Sequence, residues 1–294
     1  MTVSEFGSSY VYLMQLAAAL KDFREKADLT QEQAVTELRR MGGRWSESKL
    51  SRVENHEHGI RTREVEQLLD LYGVTDETVR EPVLALAVRA RKKDPRAPYG
   101  VELPDKTRAL VSVETGAVAI RQFETMVIPG LLQTTDYTRA VIDASNPADV
   151  NPIDVERRVA ARMTRQHILR RADPPTYHVI LDEAILRRTV GSPSVMRDQL
   201  RKLVDLAAEP HLTLQILPLA TGGGPGLGGP FALFTLPEPA PDLALSEGPV
   251  TGMVLIPERE AVRRCTLRFG MLMQLALTRA ESADLIRQAA QGYE

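Results

Sequence analysis

The sequence predicts an all-helical N-terminal domain of five short helices joined to a larger C-terminal domain of mixed α/β or α+β class. Two observations predict the first part. Apolar residues recur at three- and four-residue steps through about the first 95 residues, and residues able to cap a helix stand before two of those runs. A third observation predicts the second part: beyond a polar stretch holding three prolines, short apolar runs alternate with helical patterns, as elements packed around one core require.

In the first helix Leu13, Leu16, Leu20, Phe23 and Ala27 share one face, and Asp28-Leu29 ends it. Thr30 with Gln33 forms a capping-box pattern at the start of a second helix, which turns Ala34 and Leu38 inward and stops near Gly42-Gly43. Ser46 can cap a third helix, whose inner face needs only Leu50 and Val53. A fourth runs from Thr62 to Tyr72 with Val65, Leu68 and Leu69 inside. A fifth runs from Asp76 to Ala90, with Pro82 expected in or near its first turn, where a missing N–H costs least. Residues 1–92 make this domain and residues 93–106 a linker that takes in most of the polar stretch Arg91–Pro104, which carries Pro95, Pro98 and Pro104. Residues 107–294 make the second domain. Its expected strands are Val118–Val127, Tyr177–Leu181, Leu212–Leu217, Phe231–Leu236 and Gly252–Ile256. Its expected helices are Asp136–Ser145, Asp154–Arg171, Ser194–Ala208 and Glu258–Ala276; pattern alone gives no strand order.

Composition narrows the classes of function. The chain has 294 residues, a net charge of −2 and a single cysteine, Cys265, so an internal disulfide and a cysteine-rich zinc site are both excluded. No apolar run reaches the ~18–20 residues of a membrane span, and no basic start with an apolar stretch marks a secretory signal, so a cytoplasmic protein without a membrane partner is expected. The near-zero charge leaves nucleic-acid binding to be decided by local patches. One exists: between Arg39 and Arg63 seven basic residues oppose three acidic ones, a local excess of +4.

That patch surrounds the short third helix. Its outer face offers Glu47, Ser48, Lys49, Ser51 and Arg52, and no bulky apolar residue. A helix narrow enough to enter a major groove, with donors and acceptors near its N-terminus, has these properties. An ordinary solvated helical bundle has them too, and the pattern alone leaves both readings open.

The run Leu20, Phe23-Arg24-Glu25 and Leu29-Thr30-Gln31-Glu32-Gln33, followed by Ser46 and Leu50-Ser51-Arg52-Val53-Glu54-Asn55, resembles the helix-turn-helix domain of phage-repressor-type (XRE) regulators. Downstream, Ile128-Pro129-Gly130-Leu131-Leu132-Gln133-Thr134 with Tyr137 and Arg139-Ala140 is similar to an actinobacterial group that joins this domain to a C-terminal domain of unassigned biochemistry. Leu181-Asp182-Glu183-Ala184, Leu214-Gln215-Ile216-Leu217-Pro218 and Gly229-Pro230-Phe231 fit the same group. The resemblance implies an antitoxin-like, sequence-specific transcriptional regulator, not an enzyme and without a cofactor or metal. Its implied partners are a double-stranded DNA operator and a second copy of itself, with a small protein encoded beside it or a small-molecule effector as further possibilities. The alternative reading is an interaction protein that chiefly binds that small neighbour and uses DNA binding for autoregulation.

The resemblance also implies residue roles. Gln31 would hold a phosphate at the N-terminus of the second helix, and Glu47, Ser48, Lys49 and Arg52 would meet bases or backbone, with Arg44, Ser46 and Ser51 beside them. Arg24 and Glu54 would form a structural ion pair. Seven residues, Arg39–Trp45, enlarge the turn between the two motif helices, with Trp45 expected in the core or against the DNA backbone and Arg39, Arg40 and Arg44 facing phosphate.

Other signals read as structure. Gly224-Pro225-Gly226-Leu227-Gly228-Gly229 spells a dinucleotide-binding pattern, but a strand rather than a helix follows it. His56 and His58, two residues apart, do not share a helical face, and no cysteine is near His56-Glu57-His58 to complete a zinc site. Asp182-Glu183 with Arg187 and Arg188 is the best acid–base cluster, and an acidic helix start with later basic residues explains it without chemistry.

Overall fold

The computed structural model describes residues 9–56, 59–91, 105–145, 152–222, 224–248 and 252–293. These fall into two compact units.

The first unit contains α1 (Ser9–Lys26), α2 (Gln31–Arg40), α3 (Glu47–Glu54), α4 (Thr62–Leu71) and α5 (Glu77–Arg91). The five expected helices are present, and the capping box forms: Gln33 N donates to Thr30 Oγ1 at 3.2 Å while Thr30 N donates to Gln33 Oε1 at 2.8 Å. Leu16, Leu20, Leu38, Leu50, Val53, Val65, Leu68 and Leu69 meet in one core, joined by Trp45. Pro82 departs from expectation. It is the sixth residue of α5, beyond the first turn, at an exposed position where water can reach the carbonyl its missing N–H leaves free.

The unit also claims chain from much further on. The part of α6 (Asp105–Gly116) from Thr107 onward and the segment Leu236–Pro241 belong to it. These segments lie with the unit whose first helix, α1, buries two faces rather than one. Opposite the core face, Val11, Met14 and Gln15 are buried. Gln15 Nε2 donates to Pro237 O at 3.0 Å, and α6 approaches so closely that a Cβ on Gly116 would stand 2.9 Å from Val11 Cγ2. Most of the expected linker, residues 92–104, lies outside the described residues.

The second unit is built on a six-stranded mixed sheet of order β3-β2-β1-β4-β5-β6, with β1 (Ala119–Glu124), β2 (Thr176–Asp182), β3 (Leu212–Leu217), β4 (Phe231–Thr235), β5 (Leu243–Gly248) and β6 (Gly252–Ile256). β1, β2 and β3 run parallel, and β4, β5 and β6 follow as antiparallel neighbours, so the class is α+β. The helices are α7 (Thr135–Ser145), α8 (Pro152–Arg165), the single turn α9 (Ala184–Arg187), α10 (Pro193–Leu206), α11 (Arg259–Leu275) and α12 (Arg279–Gln291). The helix expected over Asp154–Arg171 ends at Arg165 and continues as a 3₁₀ turn, Gln166–Leu169. Central β2 buries Tyr177, Val179, Ile180 and Leu181, apolar on both faces as a parallel strand inside a sheet must be. On one face Phe269 and Leu272 of α11 pack with Phe123, Ile180, Phe231 and Leu233. The β3 edge is closed by the α11–α12 junction: Leu277 N donates to Ile216 O, and Ile216 N donates to Ser282 Oγ, both at 2.9 Å.

Candidate nucleic-acid interface

The geometry of the first unit is set by one buried ion pair. Arg24 Nε and Nη2 grip Glu54 Oε1 and Oε2 at 2.7 and 2.9 Å, while Nη1 donates to Leu29 O at 2.7 Å. This fork fixes the end of α3 to α1 and to the turn before α2. Hydrogen bonding to Glu54 holds the Arg24 guanidinium above its already high ordinary pKa, against the opposing cost of burial. The expected structural role of the pair agrees with this arrangement.

Two residues expected to face DNA are turned inward instead. Gln31 Nε2 donates to Glu54 Oε2 at 2.8 Å, because a buried carboxylate needs every donor within reach and Gln31 opens α2 beside it. Lys49 does not point outward. Its ammonium sits 2.5 Å from Glu64 Oε1 and 4.4 Å from the centre of the Trp45 ring, tying α3 to α4. Burial works against the ionised Glu64 carboxyl, but the bonds from Lys49 and from Arg61 N keep it below the ordinary carboxylate range. No spacing rule connects residues 49 and 64, so the sequence carried no signal for this pair.

The remaining residues present a coherent surface. Arg44, Ser46, Glu47, Ser48 and Arg52 are exposed, and Ser51 is half-buried and accepts from Asn55 Nδ2 at 3.3 Å. Ser46 Oγ caps α3 by accepting from Lys49 N, and Arg52 Nε rests 3.2 Å from Ser48 O with its guanidinium in solvent. The enlarged turn is packed against the fold. Trp45 is buried and donates from Nε1 to Gln67 Oε1 at 3.3 Å, and Arg39 Nε donates to Trp45 O at 2.8 Å. Gly43 is required there, since a Cβ would lie 2.8 Å from both Leu38 O and Trp45 Cδ1. Arg40 pairs with Glu37, while Arg39 and Arg44 are exposed cations of this turn with no ion pair among the described residues. His56 is described, but Glu57 and His58 of the expected loop are not.

In the second unit the sites that resembled chemistry resolve into architecture. Asp182 Oδ1 accepts from Ala184 N at 2.9 Å, and Glu183 accepts from Arg187 and from Leu219 N. Burial raises the Glu183 pKa, but those donors outweigh it and hold the carboxyl below its ordinary range. The glycine-rich segment runs into β4 with no helix to receive a pyrophosphate. In the Ile128–Thr134 motif Gln133 Nε2 donates to Ile128 O, Gln199 Nε2 donates to Leu132 O and Lys202 Nζ donates to Gln133 O, so side chains satisfy a buried loop. Among the described residues no group of three or more His, Cys, Asp or Glu is placed to hold a metal ion.

Glu124 supplies a pH prediction. Burial, with a smaller repulsion from Glu247, pushes its carboxyl up to about 7 against the bond from Gln122 Nε2. The folded state therefore favours the protonated acid. Its contribution is fully present below the ordinary pKa near 4.5 and is lost as pH rises through about 7, by at most ~3 kcal/mol. Denaturant midpoints between pH 4.5 and 8 should fall with rising pH, and Glu124→Gln should flatten that slope. A slope equal in both proteins would show that Glu124 does not cause it.

A helical unit whose third helix is braced from behind and bare in front defines the class of protein. Residues 15–81 match the family of helix-turn-helix domains, and the domain is of that DNA-binding kind. Residues 107–288 match a domain of unknown function (DUF5753), and the chain belongs to that family. No curated protein and no solved structure matches the chain. Among the described residues no helix is long and apolar enough to cross a membrane.

Proposed function

We propose that the protein is a sequence-specific transcriptional regulator that reads duplex DNA with α3 and acts as a homodimer in the cytoplasm, with no reaction of its own. One observation carries this reading: Glu47, Ser48 and Arg52 stand exposed on a helix, with Arg44 exposed in the turn before it, and the inner side of that helix is locked by Arg24, Gln31, Lys49 and Glu54. A rigid back and an unpaired polar front are what base-edge recognition needs, because the donors must reach the groove already oriented. Arg52 and Arg44 are the donors to guanine or phosphate, and Ser48 and Glu47 the shorter-range contacts. Two heads on adjacent half-sites supply the affinity that a single eight-residue helix lacks.

The test separates reading from bracing. Once a bound sequence has been selected from random duplexes, Arg52→Ala should weaken its binding by ~1–3 kcal/mol at fixed salt while the melting temperature holds. Lys49→Ala should do the reverse, lowering the melting temperature and sparing the affinity of the folded protein. Wild-type affinity in the Arg52 variant would remove α3 from the interface.

A further inference from the structure

We infer that the outward face of α11 is a dimer interface that takes the same helix of a second copy. This deepens the paired-head reading above and rests on it only for the use to which the dimer is put. Leu267, Met271 and Leu275 follow one another at four-residue steps and form a single ridge along the helix. They are 59%, 50% and 42% exposed, while Phe269 and Leu272 on the opposite side fill the sheet core. The ridge does not stand alone. Arg268 donates to Pro225 O and Gly229 O, which holds the glycine-rich loop against α11, and a Cβ on Gly224 would lie 4.0 Å from Leu275 Cδ1. The tip of that loop is Leu227, 81% exposed. A solvated helix gains nothing from such an apolar surface, and a contiguous one marks an interaction site.

Gly270 points to the occupant. Glycine is disfavoured in the middle of a helix, yet Gly270 sits exposed within the seventeen residues of α11. Its φ is not positive, and apart from its chain neighbours and the nearby backbone of its own helix no described atom lies within 4 Å of where its Cβ would stand, so no packing among the described residues requires a glycine. A close partner does require one. Gly270 adjoins Met271, the centre of the ridge, so a two-fold axis at that point sets the Met271 side chain of each copy over the Gly270 notch of the other. Ridges made of i, i+4 rows pack on one another in this way, crossing at about −50°. The ends agree as well. The exposed Arg263 and Arg264, each within 4 Å of Glu260 on their own helix, lie near the start of α11, on the side of the axis toward which the partner's carbonyl end points, where cations are favoured. A seventeen-residue helix is only ~25 Å long, and contact along it falls short of the ~800 Å² per partner of a standard interface. The dimer should therefore be concentration-dependent.

Sedimentation velocity on the full chain over about 1–100 μM should show a monomer–dimer equilibrium. Met271→Glu, which places a charge at the axis, should raise the dissociation constant at least tenfold. Gly270→Gln, which fills the notch with a better helix former, should do the same with a melting temperature no lower than that of the wild type. That second variant keeps the result apart from misfolding. A wild-type chain that stays monomeric overturns the proposal and leaves the ridge to another partner or to none. A dimer that both variants form as well as the wild type also overturns it, by placing the contact elsewhere, while the paired-head reading survives. Arg52→Ala compared with the wild type at one oligomeric state reports on α3 separately from this contact.

Discussion

Arg24→Ala should unfold the helical unit under conditions the wild type withstands, at a cost of ~3–5 kcal/mol. The side chains of Arg24 and Glu54 are 9% and 1% exposed, so removing the cation leaves a carboxylate out of water with Gln31 Nε2 as its remaining side-chain partner. An exposed pair would contribute under ~1 kcal/mol, and the burial decides between these magnitudes. The Leu29 carbonyl loses its donor as well, which loosens the turn that sets the angle between α1 and α2. Because the cost lies in the orphaned charge and not in the bond, Arg24→Met with Glu54→Leu should be much less harmful than Arg24→Ala alone. Chemical denaturation of the three proteins, followed by helical signal, checks both statements. Equal midpoints for Arg24→Ala and wild type would show that water reaches Glu54 freely.

What could be read from the sequence is largely what lies close along the chain. The Thr30–Gln33 box, the Ser46 cap and the inward set Leu50 and Val53 each follow from spacings of three or four residues. Arg24 with Glu54 was legible only through resemblance. The bonds of Lys49 and Gln31 were not legible because the carboxylates that accept from them lie 15 and 23 residues away, where periodicity carries no information. The same limit explains why β5 was missed: Leu243–Gly248 alternates poorly and becomes a strand by pairing with β4 and β6. Helix α12 is a different case. Its Thr278–Glu281 capping box is a local signal that the sequence carries in full. The second buried face of α1 was also available, since Val11 and Met14 lie off the stripe of Leu13, Leu16 and Leu20, but its covering comes from residues 107–116 and 236–241.

That covering leads to the second large effect. A fragment of residues 1–95 carries all five helices of the reading head, yet it should be far less stable than the same helices in the full chain. Without α6 and Leu236–Pro241, Val11 loses its contact with Gly116 and returns toward water at ~1.5–3 kcal/mol, and Gln15 loses its acceptor on Pro237. The sum is a large share of the ~5–15 kcal/mol that holds a domain together. A substitution distinguishes this loss from a generally fragile fold. Val11→Ser should destabilise the helical unit of the full chain by ~2 kcal/mol, because it places a hydroxyl in a tight apolar contact with Gly116. In the fragment, where position 11 is already wet, the same change should cost almost nothing. Weak DNA binding by the fragment would then have two separable sources, the unfolded fraction and the absence of a second head. Stabilising osmolytes that restore its helical signal should recover only the first. A fragment as stable as the unit within the full chain would mean that α1 needs one face buried, and that the later segments merely rest on it.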